Sequence, residues 1–253
     1  MTNSKPIAII TGGSRGLGRS MAEHLAARGT DIILTYQSRR DAADEVVAAI
    51  EAKEGRAVAL QLDVGDVGSL GTFADAVRGA LEKLGAERFD ILVNNAGMGL
   101  HGSFTDTNPD EFSALIDVHL RGPFHLTQQL LPLMRDGGQL LNVSSGLARM
   151  TLPGFAAYAA VKGAVEVLTR YQALELGARK IRVNVLAPGA IETDFGGGMV
   201  RDNAEMNAMI AQHTALGRVG LPADVGAAVA MLLAPESRWI NGQRIEVSGG
   251  QGL

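Results

Sequence analysis

Tyr158 and Lys162 stand four residues apart in the stretch Tyr158-Ala159-Ala160-Val161-Lys162. On a helix that spacing puts both side chains on one face. A free tyrosine, with a pKa of ~10, is a poor acid or base near neutrality. A neighbouring ammonium favours the phenolate and moves the group towards the range useful for general acid–base work. Thirteen residues before the tyrosine comes Ser145, in the pair Ser144-Ser145 that ends the apolar run Leu140-Leu141-Asn142-Val143. A serine there either caps the turn or offers its hydroxyl to a reacting oxygen. Such a set handles a proton on an oxygen atom and needs neither a metal nor a thiol, and the chain contains no cysteine.

A second group lies near the N-terminus. The run Ile7 to Ile10 leads directly into Thr11-Gly12-Gly13-Ser14-Arg15-Gly16-Leu17-Gly18. Glycines here allow a sharp turn, a close approach of backbone to a phosphate, and tight packing of the next helix on the strand. The helix N-terminus would then present N–H groups and a positive dipole end to a pyrophosphate. A glycine-rich turn that binds nothing is the plain alternative. Gly13 to Ser20 also reads GxxxxGRS, one residue from a P-loop, but Arg19 stands where the compact lysine ammonium is needed. Enzymes that use NAD usually place an acid at the end of the second strand, to hold the ribose 2′-hydroxyl. That end reads Tyr36-Gln37-Ser38-Arg39-Arg40, with no carboxylate before Asp41. Arg39, together with Arg15 in the turn, suits a 2′-phosphate through charge-assisted bonds. The expected cofactor is therefore NADP(H), contacted by Gly12, Ser14, Arg15, Gly16, Leu17, Gly18, Tyr36, Ser38 and Arg39.

These groups need a frame. Short β-branched runs alternate with longer amphipathic segments along the chain. Strands are expected at 7–10, 31–36, 57–62, 90–93, 139–143, 181–186 and 244–247. Helices are expected at 16–28, 41–54, 67–84, 108–134, 155–176 and 222–233. Repeated βα units with continuously apolar strands mean a parallel sheet covered by helices on both faces, an α/β doubly wound fold. No linker, repeat or charge block divides the 253 residues, so one domain is expected. The long stretch from Pro188 to about Asp202 carries Gly196-Gly197-Gly198 and reads as a functional or mobile loop.

Composition excludes several classes. The net charge is −4, from 23 basic and 27 acidic residues, which gives no nucleic-acid or membrane-surface footprint. Aromatic residues make up 4%, too few for a base-stacking surface. Met1 to Lys5 is polar and the apolar run after it is too short for a signal peptide. No segment reaches the ~18 apolar residues of a membrane span. A soluble cytoplasmic protein is expected.

Taken together, these motifs resemble those of the short-chain dehydrogenase/reductase family, in its 3-oxoacyl-ACP-reductase-like branch. Thr11-Gly12 with Gly16 and Gly18 is similar to its TGxxxGxG turn, and Asp63-Val64 to its adenine-contacting position. Asn94-Asn95-Ala96-Gly97 resembles its NNAG motif. Ser145, Tyr158 and Lys162 have its active-site spacing, and Pro188-Gly189-Ala190-Ile191-Glu192-Thr193 its PGxxxT motif. The resemblance implies a single Rossmann-type domain with a seven-stranded parallel sheet. It implies that Asp63, Val64, Asn94, Ala96, Gly97, Pro188, Gly189, Ile191 and Thr193 contact the cofactor. It implies that Tyr158 exchanges a proton with a substrate carbonyl or alcohol, that Ser145 orients the reacting oxygen, and that Lys162 binds the nicotinamide ribose and depresses the tyrosine pKa.

One position departs from the family pattern. His119 stands where the family has an asparagine that holds a relay water. An imidazole could hold or replace that water, and at an ordinary pKa of ~6.5 would add a pH dependence. The alternative is that His119 packs locally and the relay runs without it. The resemblance further implies a substrate loop over about 189–213, apolar walls including Leu147, Met150, Phe155 and Phe195, and a homotetramer paired through the helices at 108–134 and 155–176. The expected activity is NADP(H)-dependent interconversion of a small-molecule carbonyl and alcohol. A catalytically weak NADP-binding regulatory protein on the same fold is the competing reading.

Overall fold

Ile7-Ala8-Ile9-Ile10 is buried along its whole length, because alternate side chains of one strand enter two different cores. Ile7 and Ile9 face one side with Leu92 and Leu140; Ala8 and Ile10 face the other with Val93 and Leu141. A strand wet on neither face cannot alternate apolar with polar, which is why these runs read as continuous. The computed structural model describes residues 5–253.

The strands are β1 (Ile7–Ile10), β2 (Asp31–Tyr36), β3 (Ala57–Gln61), β4 (Phe89–Asn94), β5 (Met134–Val143), β6 (Arg182–Pro188) and β7 (Arg244–Val247). They form one parallel sheet in the order β3-β2-β1-β4-β5-β6-β7. The helices are α1 (Gly16–Ala26), α2 (Arg40–Glu51), α3 (Leu70–Lys83), α4 (Pro109–Ile116), α5 (Gly122–Leu130), α6 (Ala156–Glu175), α7 (Met199–Asp202), α8 (Ala204–Gln212) and α9 (Pro222–Leu232). Phe73 and Val77 of α3, Leu126 and Leu130 of α5, and Ala173 of α6 fill one core. Met21 and Leu25 of α1, Val46 and Ile50 of α2, and Val225 and Val229 of α9 fill the other. This is the doubly wound, seven-stranded Rossmann-type arrangement expected. The order reverses between β1 and β4, so their C-terminal ends open a crevice where ligands of such sheets bind.

Three segments differ from the sequence reading. The helix expected over 108–134 is broken into α4 and α5 by a π-helical turn at Asp117–Arg121. Pro123 has no N–H for the carbonyl of residue 119, and a side chain on Gly122 would run into the Val64 carbonyl. The backbone therefore widens by one residue just before them. Strand β5 begins at Met134 rather than 139, but its register shifts after the Phe89–Met134 pair, and Gly137 turns the chain at φ +79°. Regular pairing starts at Gln139. Finally, the stretch after Pro188 is not irregular throughout, since it carries α7 and α8. Among the described residues no helix is long and apolar enough to cross a membrane.

Candidate active site

The first turn of α1 is built to leave its donors free. Gly12 and Gly16 take φ of +64° and +53°, conformations that a side chain resists, and these turn the chain from β1 into α1. The backbone N–H of Gly12 donates to Thr35 Oγ1 at 3.1 Å, and that of Gly13 to the Thr35 carbonyl at 2.8 Å. Asn95 Nδ2 donates to the carbonyls of Thr11 and Gly12 at 2.9 and 3.2 Å, while Thr11 Oγ1 accepts the N–H groups of Asn95 and Ala96. The turn is thus braced from β2 and from the loop after β4. No side chain caps α1 and no acid lies in its first turn. Uncapped N–H groups at a braced helix start fit a pyrophosphate.

Tyr36 ends β2 as a buried core residue, while Ser38 and Arg39 are exposed beyond it. Both arginines expected at a 2′-phosphate have carboxylate partners within the chain. Arg39 makes a two-pronged pair with Asp41, at 3.0 and 2.9 Å, and Arg15 pairs with Asp194. Arg19, in the place of a P-loop lysine, bonds Glu23 along its own helix at 2.8 Å. Asp63 accepts from Gln37 Nε2 at 2.9 Å and from the Gly65 N–H at 3.0 Å, and Val64 beside it is buried. Thr193 is buried against Gly16, so the segment after β6 closes the crevice from the other side. The Gly189 N–H donates to the Val247 carbonyl, and Ile191 forms a bridge with Gly220, which anchors the root of that segment.

The asparagine pair splits its duties. Asn94 turns into the sheet, where its Nδ2 donates to Asn142 Oδ1 at 2.9 Å and Thr127 Oγ1 at 3.2 Å. Its amide nitrogen is therefore committed within the sheet, while its Oδ1 has no partner in the protein. Asn95, absent from the expected site residues, is the one that braces the glycine turn; the doubled asparagine was the signal. Thr35, which braces the same turn from β2, was missed, because a threonine on a strand carries no sign of its tertiary partner.

Ser145, Tyr158 and Lys162 meet beside the end of β5. Ser145 follows the strand and its Oγ accepts the Leu147 N–H at 3.2 Å. Ser144 is excluded from chemistry, since its hydroxyl is bonded to Glu166 at 2.8 Å. Tyr158 and Lys162 lie on one face of α6, both buried, with Nζ 5.6 Å from the tyrosine ring centre. Nζ donates to the Val143 carbonyl at 2.8 Å. Burial pushes the lysine pKa down to about 7. Burial also pushes the Tyr158 hydroxyl up, with Ser145 pulling the other way. Without a cofactor in place, the Tyr158 hydroxyl therefore sits above its ordinary range. Loss of water around the phenolate is the main cause.

His119 is carried to the same place by the π-helical turn. Its ring meets that of Tyr158 edge to face, with centres 5.5 Å apart. Its Nε2 lies 2.8 Å from the Met98 carbonyl oxygen and 3.1 Å from the Met98 nitrogen, while Nδ1 has no partner in the protein. Gly97 lies flat on the ring; a methyl there would stand 2.5 Å from Cε1. Burial, then the Lys162 ammonium, hold the imidazole down at about 3. That favours the neutral imidazole, without the charge change of an ordinary histidine near neutrality. A small cavity is lined by His119, Asn94, Asn142 and Lys162, and the buried Asn94 Oδ1 also lacks a partner.

A braced glycine turn at the switch point of a parallel sheet, with a tyrosine, a lysine and a serine at the same rim, defines an α/β oxidoreductase of the dinucleotide-dependent kind. The chain belongs to the short-chain dehydrogenase/reductase family; the family model that matches, over residues 12–251, is described as enoyl-(acyl carrier protein) reductase. It is 34% identical to a versicolorin reductase of Emericella nidulans over 254 residues, covering 96% of this chain and 94% of that one. It is 35% identical to a tetrahydroxynaphthalene reductase of Pestalotiopsis fici over 255 residues, covering 96% and 90%. Among solved structures, the angucycline C-6 ketoreductase LanV with bound NADP superposes with a TM-score of 0.93 at 36% identity, over 99% of this chain and 97% of that one.

Proposed function

We propose that the protein is an NADP(H)-dependent ketoreductase whose general acid is Tyr158. The observation that carries this reading is the convergence of Ser145, Tyr158 and Lys162 at the end of β5, beside the braced glycine turn. Bound in the crevice, the nicotinamide would supply the hydride. Ser145 donates a hydrogen bond to the substrate carbonyl oxygen and fixes its position. Tyr158, kept protonated by burial, delivers its proton to that oxygen as negative charge develops there. Lys162 holds the nicotinamide ribose hydroxyls. His119 Nδ1 and Asn94 Oδ1, two buried groups on one cavity wall with Lys162, fit a bridging water that resupplies the proton. Arg15 and Arg39 exchange their carboxylate partners for the 2′-phosphate. The relatives' printed substrates and the NADP bound to LanV support this reading.

The whole chain acts as one domain, with residues 189–213 as its substrate loop. A homotetramer built on α4, α5 and α6 fits the exposed apolar side chains Phe112, Phe124, Val167, Tyr171 and Leu174. The cytoplasm, rich in NADPH, suits such a reductase. Consumption of NADPH with a panel of ketones, beside a Tyr158→Phe control, tests the proposal. Tight NADPH binding without turnover of any carbonyl would replace it with the regulatory reading.

A further inference from the structure

Glu166 lies on α6 one turn beyond Lys162, so Tyr158, Lys162 and Glu166 recur every four residues along one helix face. The first two have roles in the proton chemistry. The third is a carboxylate whose side chain is only 16% exposed. Its Oε1 accepts from the Ser144 hydroxyl and from Arg244 Nε on β7, each at 2.8 Å. Arg244 Nη1 donates to Glu246 at 2.7 Å, and Arg149 makes a two-pronged pair with Glu246 at 2.9 and 2.7 Å. Two arginines and two glutamates thus form a continuous, charge-neutral chain beside the Ser144–Ser145 peptide. Arg244 Nη2 lies 3.5 Å from the Ser145 carbonyl oxygen, and Arg149 stands four residues past Ser145.

Ser145 needs such an outside hold. Regular pairing of β5 with β6 ends at Val143 and Leu186, and the Ser144 N–H donates to the Leu186 carbonyl at 2.7 Å. Ser145 comes next and enters a 3-10 turn at Gly146–Ala148. Lys162 grips the Val143 carbonyl, and Glu166 grips the Ser144 hydroxyl one turn further along α6. Two successive residues of the strand end are therefore fastened to the helix that carries Tyr158, and the serine follows them directly. Stability gives little reason for this device, since replacing a buried ion pair by packed apolar groups is often neutral or stabilising. What charge-assisted bonds add is a fixed direction and distance. A serine that must orient a carbonyl needs both, because a misplacement of about 1 Å costs rate steeply.

We propose that Glu166 is a positioning residue: anchored by Arg244, it holds Ser144 so that the Ser145 hydroxyl stays in reach of the same substrate oxygen as Tyr158. This rests on the ketoreductase reading above. The test measures steady-state reduction of cyclohexanone, acetophenone and β-tetralone with NADPH. It uses the unsubstituted protein, Glu166→Ala, Glu166→Gln, and Ser145→Ala with and without Glu166→Ala. Glu166→Ala should lower kcat about tenfold and leave KM for NADPH within about twofold. Glu166→Gln keeps the oxygen that accepts from both Ser144 and Arg244, and should hold kcat within about twofold of the unsubstituted protein. Added to Ser145→Ala, Glu166→Ala should cost less than about a further twofold, because it acts through a serine already removed. If Glu166→Ala gives no thermal shift with NADPH, Ser144→Ala takes its place in both backgrounds with the same expected values; it removes the gripped hydroxyl and leaves every ion pair intact. An equal loss in both backgrounds, an unchanged kcat, or a Glu166→Gln that fails as Glu166→Ala does would overturn the role and leave the ketoreductase standing. No turnover of any of the three ketones by the unsubstituted protein would overturn both.

Discussion

The Lys162 ammonium nitrogen lies 2.8 Å from the carbonyl oxygen of Val143, the last residue of the strand that delivers Ser145. One hydrogen bond thus ties the helix that carries the tyrosine to the strand end that carries the serine, and fixes the site before any ligand arrives. Its cost is a buried cation.

That cost is measurable. Burial lowers Lys162 from its ordinary value of 10.5 to about 7. Between those values the unfolded chain holds a proton that the folded chain has released, so this group makes stability rise with pH across that window. Its full penalty applies below about 7. Lys162→Met should therefore raise Tm relative to the parent near pH ~6, and the advantage should shrink towards pH ~10, with about 3 °C for each kcal/mol. Thermal melts across pH check this; a difference that does not vary with pH counts against it.

Tyr158→Phe should keep the fold and the NADPH-induced thermal shift, because the ring packing on Leu115 and Val161 remains. The ketone-dependent rate should fall by about 10²–10⁴, the range for loss of a general acid. Steady-state kinetics beside a binding titration separate the two effects.

With its pKa held down by burial, His119 should contribute no inflection to the pH–rate profile. His119→Asn should keep the profile's shape, whereas a step near pH ~6.5 present only in the parent would refute the assignment. Gly97→Ala should push the ring off Met98 and destabilise the protein by about 1–3 kcal/mol. Because the methyl acts through the imidazole, combining it with His119→Ala should cost less than the sum of the two, a coupling that urea unfolding can read.

Arg39→Ala should weaken NADPH binding about tenfold and leave NADH unchanged, since only the 2′-phosphate would use this guanidinium. Asp41→Asn removes the competing carboxylate and should shift NADPH affinity the opposite way. Titrations at fixed ionic strength decide; equal losses for both dinucleotides would remove Arg39 from cofactor choice.

Much of this architecture could be read from local pattern. The run Ile7 to Ile10, the glycine turn after it and the four-residue spacing of Tyr158 and Lys162 each carry their meaning within a few residues. The partner of His119 does not, because Met98 is 21 residues away and is brought close by the π-helical turn. Gly122-Pro123 held the clue to that turn, but a single inserted residue leaves the apolar periodicity on either side intact. The Arg15–Asp194 pair joins positions 179 residues apart and follows only from the closing of the crevice. Spacing likewise shows that Tyr158 and Lys162 are neighbours but not how much water each has lost.

Residues 195–212, proposed above as part of the substrate loop, contribute no side chain to any of the three buried clusters. The sheet and its two cores therefore hold together without that segment's sequence. Under the proposed substrate-loop role, replacements there should alter which molecules are admitted while the proton-handling groups and the glycine turn stay as they are. On the reading proposed above, exchanging this short stretch would change the ketone accepted without touching either core.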